Sequence, residues 1–271
     1  MVTDGNASES SAASSSEEPP EQQLDVLATS AGRLVALVEP MTPDEIRRPA
    51  YPSEWTIADV LSHLGSGAVI MRMNTDAILA GGALEMDAAR AVWDEWNAKT
   101  PDEQASDAPG ADHELLVRLG SVTAAERQGF RFPLGQREID FAGYLGTRVN
   151  EHAVHSWDIA VVEDPTAPLL ADAVGLIFDS LQMIVGFVGK PTGTDRAIRV
   201  ATTAPRRHVD ITLRPESVSF VPGAPARKPD LVLPAEAVIR LVYGRLDPDH
   251  TPPFEGAGAD LDELRRAFPG V

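Results

Sequence analysis

A chain of 271 residues, 43% hydrophobic and 24% charged, can bury one large core or two of ordinary domain size, and two domains are expected. The absence of cysteine excludes disulfides, zinc–thiolate sites and a thiol nucleophile of the protein's own, so any metal must be held by nitrogen and oxygen. With 23 Lys and Arg against 41 Asp and Glu, the net charge of -18 disfavours nucleic acid and anionic lipid and points to a small-molecule partner.

Residues 1–22 are mostly Ser, Ala, Glu and Pro, the composition of a disordered tail, without the basic start and apolar block of a signal peptide. No stretch reaches the roughly 18 uninterrupted apolar residues of a membrane span, so a cytoplasmic protein with no membrane partner is expected. Leu24, Leu27, Ala31, Leu34 and Val38 then recur at three- and four-residue steps, which predicts a helix ended by Pro40 and Pro43. A second helix should start at Thr56, which has the capping-box partner Asp59, and run through Val60, Leu61, Leu64 and Ile70 to Gly81. A further helical piece over 83–99 carries Trp93 and Trp96; Thr100-Pro101 and the polar run to Gly110 read as a break. Helices over about 113–127 and 138–162 complete a bundle of four main helices with one decorated connection.

Pro165 and Pro168 mark a boundary between domains at 23–164 and 165–271. Val174, Ile177, Phe178, Leu181, Ile184 and Val185 describe a very apolar helix that should be well covered. Alternating runs at 196–202, 209–213 and 217–221 read as strands, with another at 231–233. Helices over 234–243, closed by Gly244, and 261–268 follow. The fold class is thus α plus α/β: a four-helix bundle followed by a small mixed α/β domain.

The chemistry lies on the long helix. Tyr144, Arg148, Glu151, His155 and Asp158 follow at steps of four, three, four and three and form one polar stripe. Glu151 and His155 differ by about 40° around the axis, close enough to bind one ion together. His63, among Val60, Gly67 and Ile70 on the second helix, is the third candidate ligand. Two imidazoles and a carboxylate suit Zn²⁺, Ni²⁺ or Fe²⁺ and leave positions open for water or substrate. Asp158 or Arg148 would orient the ligands, and Tyr144 and Arg148 are candidates for contacting a cofactor. A Glu and a His four apart also occur on plain solvated helix faces, and a lone His63 is often only a hydrogen-bonded residue. His152 points about 100° from Glu151 and is not expected to be a ligand. His113, His208 and His250 have no metal-like spacing, and Trp55, Trp93, Trp96 and Trp157 read as packing anchors. Phosphate-binding loops, zincin runs and nucleophile elbows are all missing.

The run from Trp55 to Leu64 (WTIADVLSHL) and that from Arg148 to Asp158 (RVNEHAVHSWD) resemble the mycothiol-dependent maleylpyruvate isomerase family, over about residues 24–268. The resemblance implies a DinB-like four-helix metal-binding domain, a sterol-carrier-like C-terminal domain, and zinc held by His63, Glu151 and His155. It also implies mycothiol as a low-molecular-weight thiol cofactor or cosubstrate, and an arginine of the C-terminal domain near the substrate, matched to Arg245 with Arg240 as competitor. Conjugate addition of the thiolate to an activated double bond followed by elimination would isomerise a small electrophile; retention of the thiol would make a transferase instead. A non-catalytic binding or regulatory protein on the same fold and a non-haem iron oxygenase are the competing readings, and a monomer or weak homodimer is expected.

Overall fold

The computed structural model describes residues 20–51, 54–225 and 227–270. Most of the expected tail lies outside these residues; the first helix, α1 (Pro20–Val38), already begins at Pro20. The short α2 (Pro43–Ile46) leads to α3 (Ile57–Leu79), α4 (Met86–Ala98), α5 (Pro101–Gly120) and α6 (Ala124–Gly129). A hairpin of β1 (Phe132–Leu134) and β2 (Arg137–Ile139) precedes α7 (Phe141–Glu163). The long helices α1, α3, α5 and α7 pack as the bundle, with α4 laid on α3.

Local chemistry explains where these helices start. Thr42, Thr56, Thr100 and Thr123 each accept from the backbone three residues on, while Glu45, Asp59, Glu103 and Glu126 reach back to the cap. The expected break at Thr100-Pro101 is therefore a helix start, with Pro101 in the first turn, where its missing N–H costs nothing. That helix continues through Pro109, because burial of Ala105, Ala108, Ala111, Leu115 and Leu119 outweighs one lost backbone bond. The hairpin was also not anticipated. Its two-residue turn is permitted by Gly135 at φ +61°, and it delays α7 to Phe141, capped by the Asp140 side chain.

The C-terminal half comprises α8 (Ala171–Val188), β3 (Arg196–Thr202), β4 (His208–Arg214), β5 (Ser217–Pro222), β6 (Leu231–Leu233), α9 (Ala235–Val242), β7 (Glu255–Gly256) and α10 (Gly258–Ala267). The sheet runs β5-β4-β3-β6-β7, with β3 parallel to β6 and the other pairs antiparallel. In this register Ile198 faces Ile211 and Ile211 faces Phe220, all buried. Helix α8 packs on α9, β5 and α7, but only 33% of it is buried, which corrects the expectation of full cover. Its apolar composition is long enough to cross a membrane, with mean hydropathy 1.6. One face nevertheless packs through Val174, Ile177, Leu181 and Val185, and Asp179 and Gln182 interrupt the outer one. The buried apolar side chains of both halves form one continuous cluster.

The entry to β6 is pinned by Arg199, whose Nε and Nη2 donate to Asp230 at 2.9 and 2.7 Å. The guanidinium holds the Asp230 carboxyl down at about 2. A depressed folded-state value means stability present above the ordinary carboxylate range and lost as pH falls through it. Asp230→Asn should therefore cost about 1 kcal/mol at neutral pH, the scale of a partly exposed pair, and flatten the acid side of the stability profile measured by urea titration.

Candidate metal centre

His63 lies in the second turn of α3; Glu151 and His155 lie one turn apart on α7, which packs alongside. The packing carries the His63 ring to the Glu151–His155 pair. Nε2 of His63 is 3.1 Å from Oε2 of Glu151, and Nε2 of His155 is 3.5 Å from the same oxygen. One ligand atom from each lies within 4.8 Å of the others. A four-coordinate ion with bonds of about 2.0–2.2 Å needs ligand atoms roughly 3.3–3.6 Å apart, so the donor set fits a divalent metal. Among the described residues no other cluster of three or more such donors is present.

Loss of solvent alone would raise the Glu151 pKa, but hydrogen bonds with His155 and His63 outweigh it and hold the carboxyl well below the usual carboxylate range. Burial likewise works against a charged His155, yet its bonds to Asp158 and Glu151 raise its pKa. His155 Nδ1 stands 2.9 Å from Oδ2 of Asp158. Asp158 accepts from Nδ1, which turns Nε2 toward Glu151 and the site.

Arg245 reaches the same place from the C-terminal half. Its Nε and Nη2 donate to Oδ1 and Oδ2 of Asp158 at 2.6 and 2.7 Å, and Nη1 donates to the Tyr243 carbonyl at 2.8 Å. The side chain is 6% exposed. The fork of the arginine matched to the substrate is thus closed on Asp158. The competitor Arg240 is bound to Glu236 and to the His250 carbonyl.

A cavity of about 230 Å³ opens beside His63 and Glu151, walled by Gly67, Ile70, Met71, Phe132, Tyr144 and Arg148 among others. The Tyr144 hydroxyl donates to the Met71 carbonyl at 2.7 Å, so Tyr144 offers the cavity a ring and not a free donor. Arg148 Nη2 donates to the Leu64 carbonyl and to Asp112, which joins α3 to α7 and narrows its expected contact with a cofactor to one wall of the cavity. His152 is buried away from the site, between Asp112 and Ser30. Ser30, His152 and Asp112 stand in the order of a hydrolase triad, but all are buried and they tie α1, α7 and α5 together.

The tryptophans divide. Trp96 and Trp157 are packing anchors as expected, but Trp55 and Trp93 are 36% and 43% exposed. The Trp55 ring stacks on His155 with centroids 5.9 Å apart, and Trp93 lines the cavity. The sequence signal missed was position: Trp55 stands immediately before the cap of the helix bearing His63. That helix is held close to α4 at Gly65, where a Cβ would fall 2.2 Å from ring carbons of Trp96. Gly65→Ala is expected to lose about 1–3 kcal/mol in urea unfolding, because the buried indole has nowhere to move.

Residues 27–160 match the family described as Mycothiol maleylpyruvate isomerase N-terminal domain. Those residues are a mycothiol maleylpyruvate isomerase N-terminal domain. No curated protein matches it by sequence. Solved structures that share its fold include a mycothiol-dependent maleylpyruvate isomerase and a histidine-to-alanine mutant of that enzyme. Each is 14% identical, with a TM-score of 0.62, covering 85% of this chain and 91% of the other. The likeness spans both halves, so the helical bundle followed by a mixed sheet is the arrangement of this family's solved fold.

Proposed function

We propose that this chain is a metal-dependent enzyme that uses mycothiol on a small electrophile, by isomerisation or by thiol transfer. The observation that carries the reading is the convergence of the His63, Glu151 and His155 donor atoms beside a cavity, within a domain of this family. These three residues would hold the ion, and zinc suits a nitrogen–oxygen donor set with an open position. The bound ion supplies Lewis acidity, which favours thiolate over thiol at neutral pH and so provides a nucleophile that a chain without cysteine lacks.

The protein's own groups do the rest. Asp158 keeps the His155 ring turned so that Nε2 faces the centre. Ile70, Met71 and Phe132 supply an apolar wall that keeps water from a reactive double bond. Arg148 holds α3 to α7 so that the ligands keep their spacing. The test is turnover of activated alkenes by zinc-loaded protein with and without mycothiol. Product formation that requires both metal and thiol is expected. A zinc-loaded protein whose rate is indifferent to mycothiol across such electrophiles sinks the proposal.

A further inference from the structure

We infer that Arg245 is a positioning residue of the metal centre, through which the C-terminal half sets the orientation of a ligand carried by the N-terminal half. The inference rests on the reading of His63, Glu151 and His155 as metal ligands and adds a control that lies outside them.

The geometry is a chain of three groups. Asp158 is fully buried, and both of its oxygens are occupied: Oδ1 by Arg245 Nε at 2.6 Å, Oδ2 by Arg245 Nη2 at 2.7 Å and by His155 Nδ1 at 2.9 Å. A planar fork meeting a planar carboxylate at two points leaves the carboxylate little freedom to turn. Oδ2 is shared, so fixing that oxygen fixes the direction along which the His155 ring donates. The fork is itself anchored, because Nη1 is tied to the Tyr243 carbonyl.

The backbone beneath it is equally constrained. Arg245 follows Gly244, which takes φ +72° at the end of α9, and the Arg245 N–H returns to the Arg240 carbonyl at 2.6 Å. A Cβ on Gly244 would stand 2.2 Å from the Gly270 Cα, so the last residues described lie directly against this turn. Tyr51, from the N-terminal half, donates its backbone N–H to the Asp158 carbonyl at 3.0 Å. The carboxylate is thus held through its backbone by one half of the molecule and through its oxygens by the other.

A plain buried ion pair between the halves would show similar distances, and Arg240 provides the comparison. It is buried at the same junction, grips Glu236 and the His250 carbonyl, meets the Arg245 backbone carbonyl only at 3.4 Å, lies 4.9 Å over the Trp157 ring, and makes no hydrogen bond to Asp158. Loss of Arg240 should weaken the junction without touching the His155 ring.

The experiment titrates Co²⁺ into the full-length metal-free protein, reading the visible absorption band and the affinity against a competing chelator. Arg245→Met and Asp158→Asn should weaken Co²⁺ binding about tenfold to a hundredfold, the range seen when an outer partner of a ligating histidine is removed, and should alter the band. Arg245→Lys keeps the charge but not the fork and should fall between. Arg240→Met should lower the thermal midpoint yet keep wild-type affinity and band. Should Arg245→Met not fold, Asp158→Asn and Arg245→Lys carry the comparison. Wild-type affinity and spectrum in the folded Arg245 and Asp158 variants overturn the inference, as does equal weakening by Arg240→Met. A wild-type protein that binds no Co²⁺ instead removes the metal reading itself, and the inference with it.

Discussion

Glu151→Gln is expected to abolish stoichiometric metal binding while leaving the fold intact. Glu151 is the hub of the site: its Oε2 lies 3.1 Å from one imidazole and 3.5 Å from the other, and it is the only anionic donor of the three. Glutamine keeps the volume and the packing between α3 and α7 but removes the charge that a divalent ion needs. If each ligand carries about a third of a binding free energy of roughly 10–16 kcal/mol, the loss is about 4 kcal/mol, on the order of a thousandfold in affinity. His63→Ala should do the same from the other helix. Elemental analysis after dialysis should give about one zinc per wild-type chain and almost none for either variant, with little change in the thermal midpoint of the metal-free forms. Retention of one zinc by Glu151→Gln would show that the ion is held elsewhere.

Asp112→Ala is expected to be the most destabilising single substitution in the bundle. Its Oδ1 accepts from Arg148 at 2.6 Å and its Oδ2 meets His152 Nε2 at 2.9 Å, both within a fully covered interior. His152 Nδ1 continues to Ser30 at 2.8 Å, and Arg148 also donates to the Leu64 carbonyl, so one carboxylate ties α5, α7, α1 and α3. Burial alone would raise the Asp112 pKa, but the Arg148 charge and the His152 bond hold it below its ordinary value. Its contribution is therefore present above the ordinary carboxylate range and lost as pH falls through the lowered folded value. Truncation leaves the Arg148 guanidinium buried and uncompensated, which costs about 3–5 kcal/mol. Urea unfolding at neutral pH reads this directly. Asp112→Leu with Arg148→Met, which removes both charges, should recover a large part of the loss, a departure from additivity expected of directly bonded partners. A loss under about 1 kcal/mol for Asp112→Ala would mean that the network carries no such weight.

Much of the candidate site is legible in the sequence. Residues four apart on a helix lie on one face whatever the helix packs against, so the Glu151–His155 pair follows from spacing alone, as does the start of α3 from Thr56 and Asp59. The strands β3, β4 and β5 followed from alternation, because a sheet with one buried face imposes a period of two. Where two local signals competed, the reading failed. Thr100-Pro101 has the chemistry of both a break and a start, and only the burial of the alanines behind it on α5 decides. The hairpin before α7 and the two-residue β7 are too short for periodicity to register.

Long-range placement lay beyond the sequence in a stricter sense. Helix spacing lets Arg240, inside α9, pair with Glu236 four residues before it, but nothing local says where Arg245, beyond the helix end, will reach. The turn at Gly244 sends Arg245 to Asp158, 87 positions away. Nor does spacing say that Trp55 would lie over His155 or that Arg148 would be committed to Asp112. Sequence by itself determined most of the longer elements and the candidate donor pair on α7, because both depend on interactions within a few residues along the backbone. Tertiary structure decided which face of α3 meets them, which arginine stands behind His155 and which side chains remain free. Those outcomes depend on packing between segments far apart in the chain, where burial of the whole core outweighs the preference of any one residue.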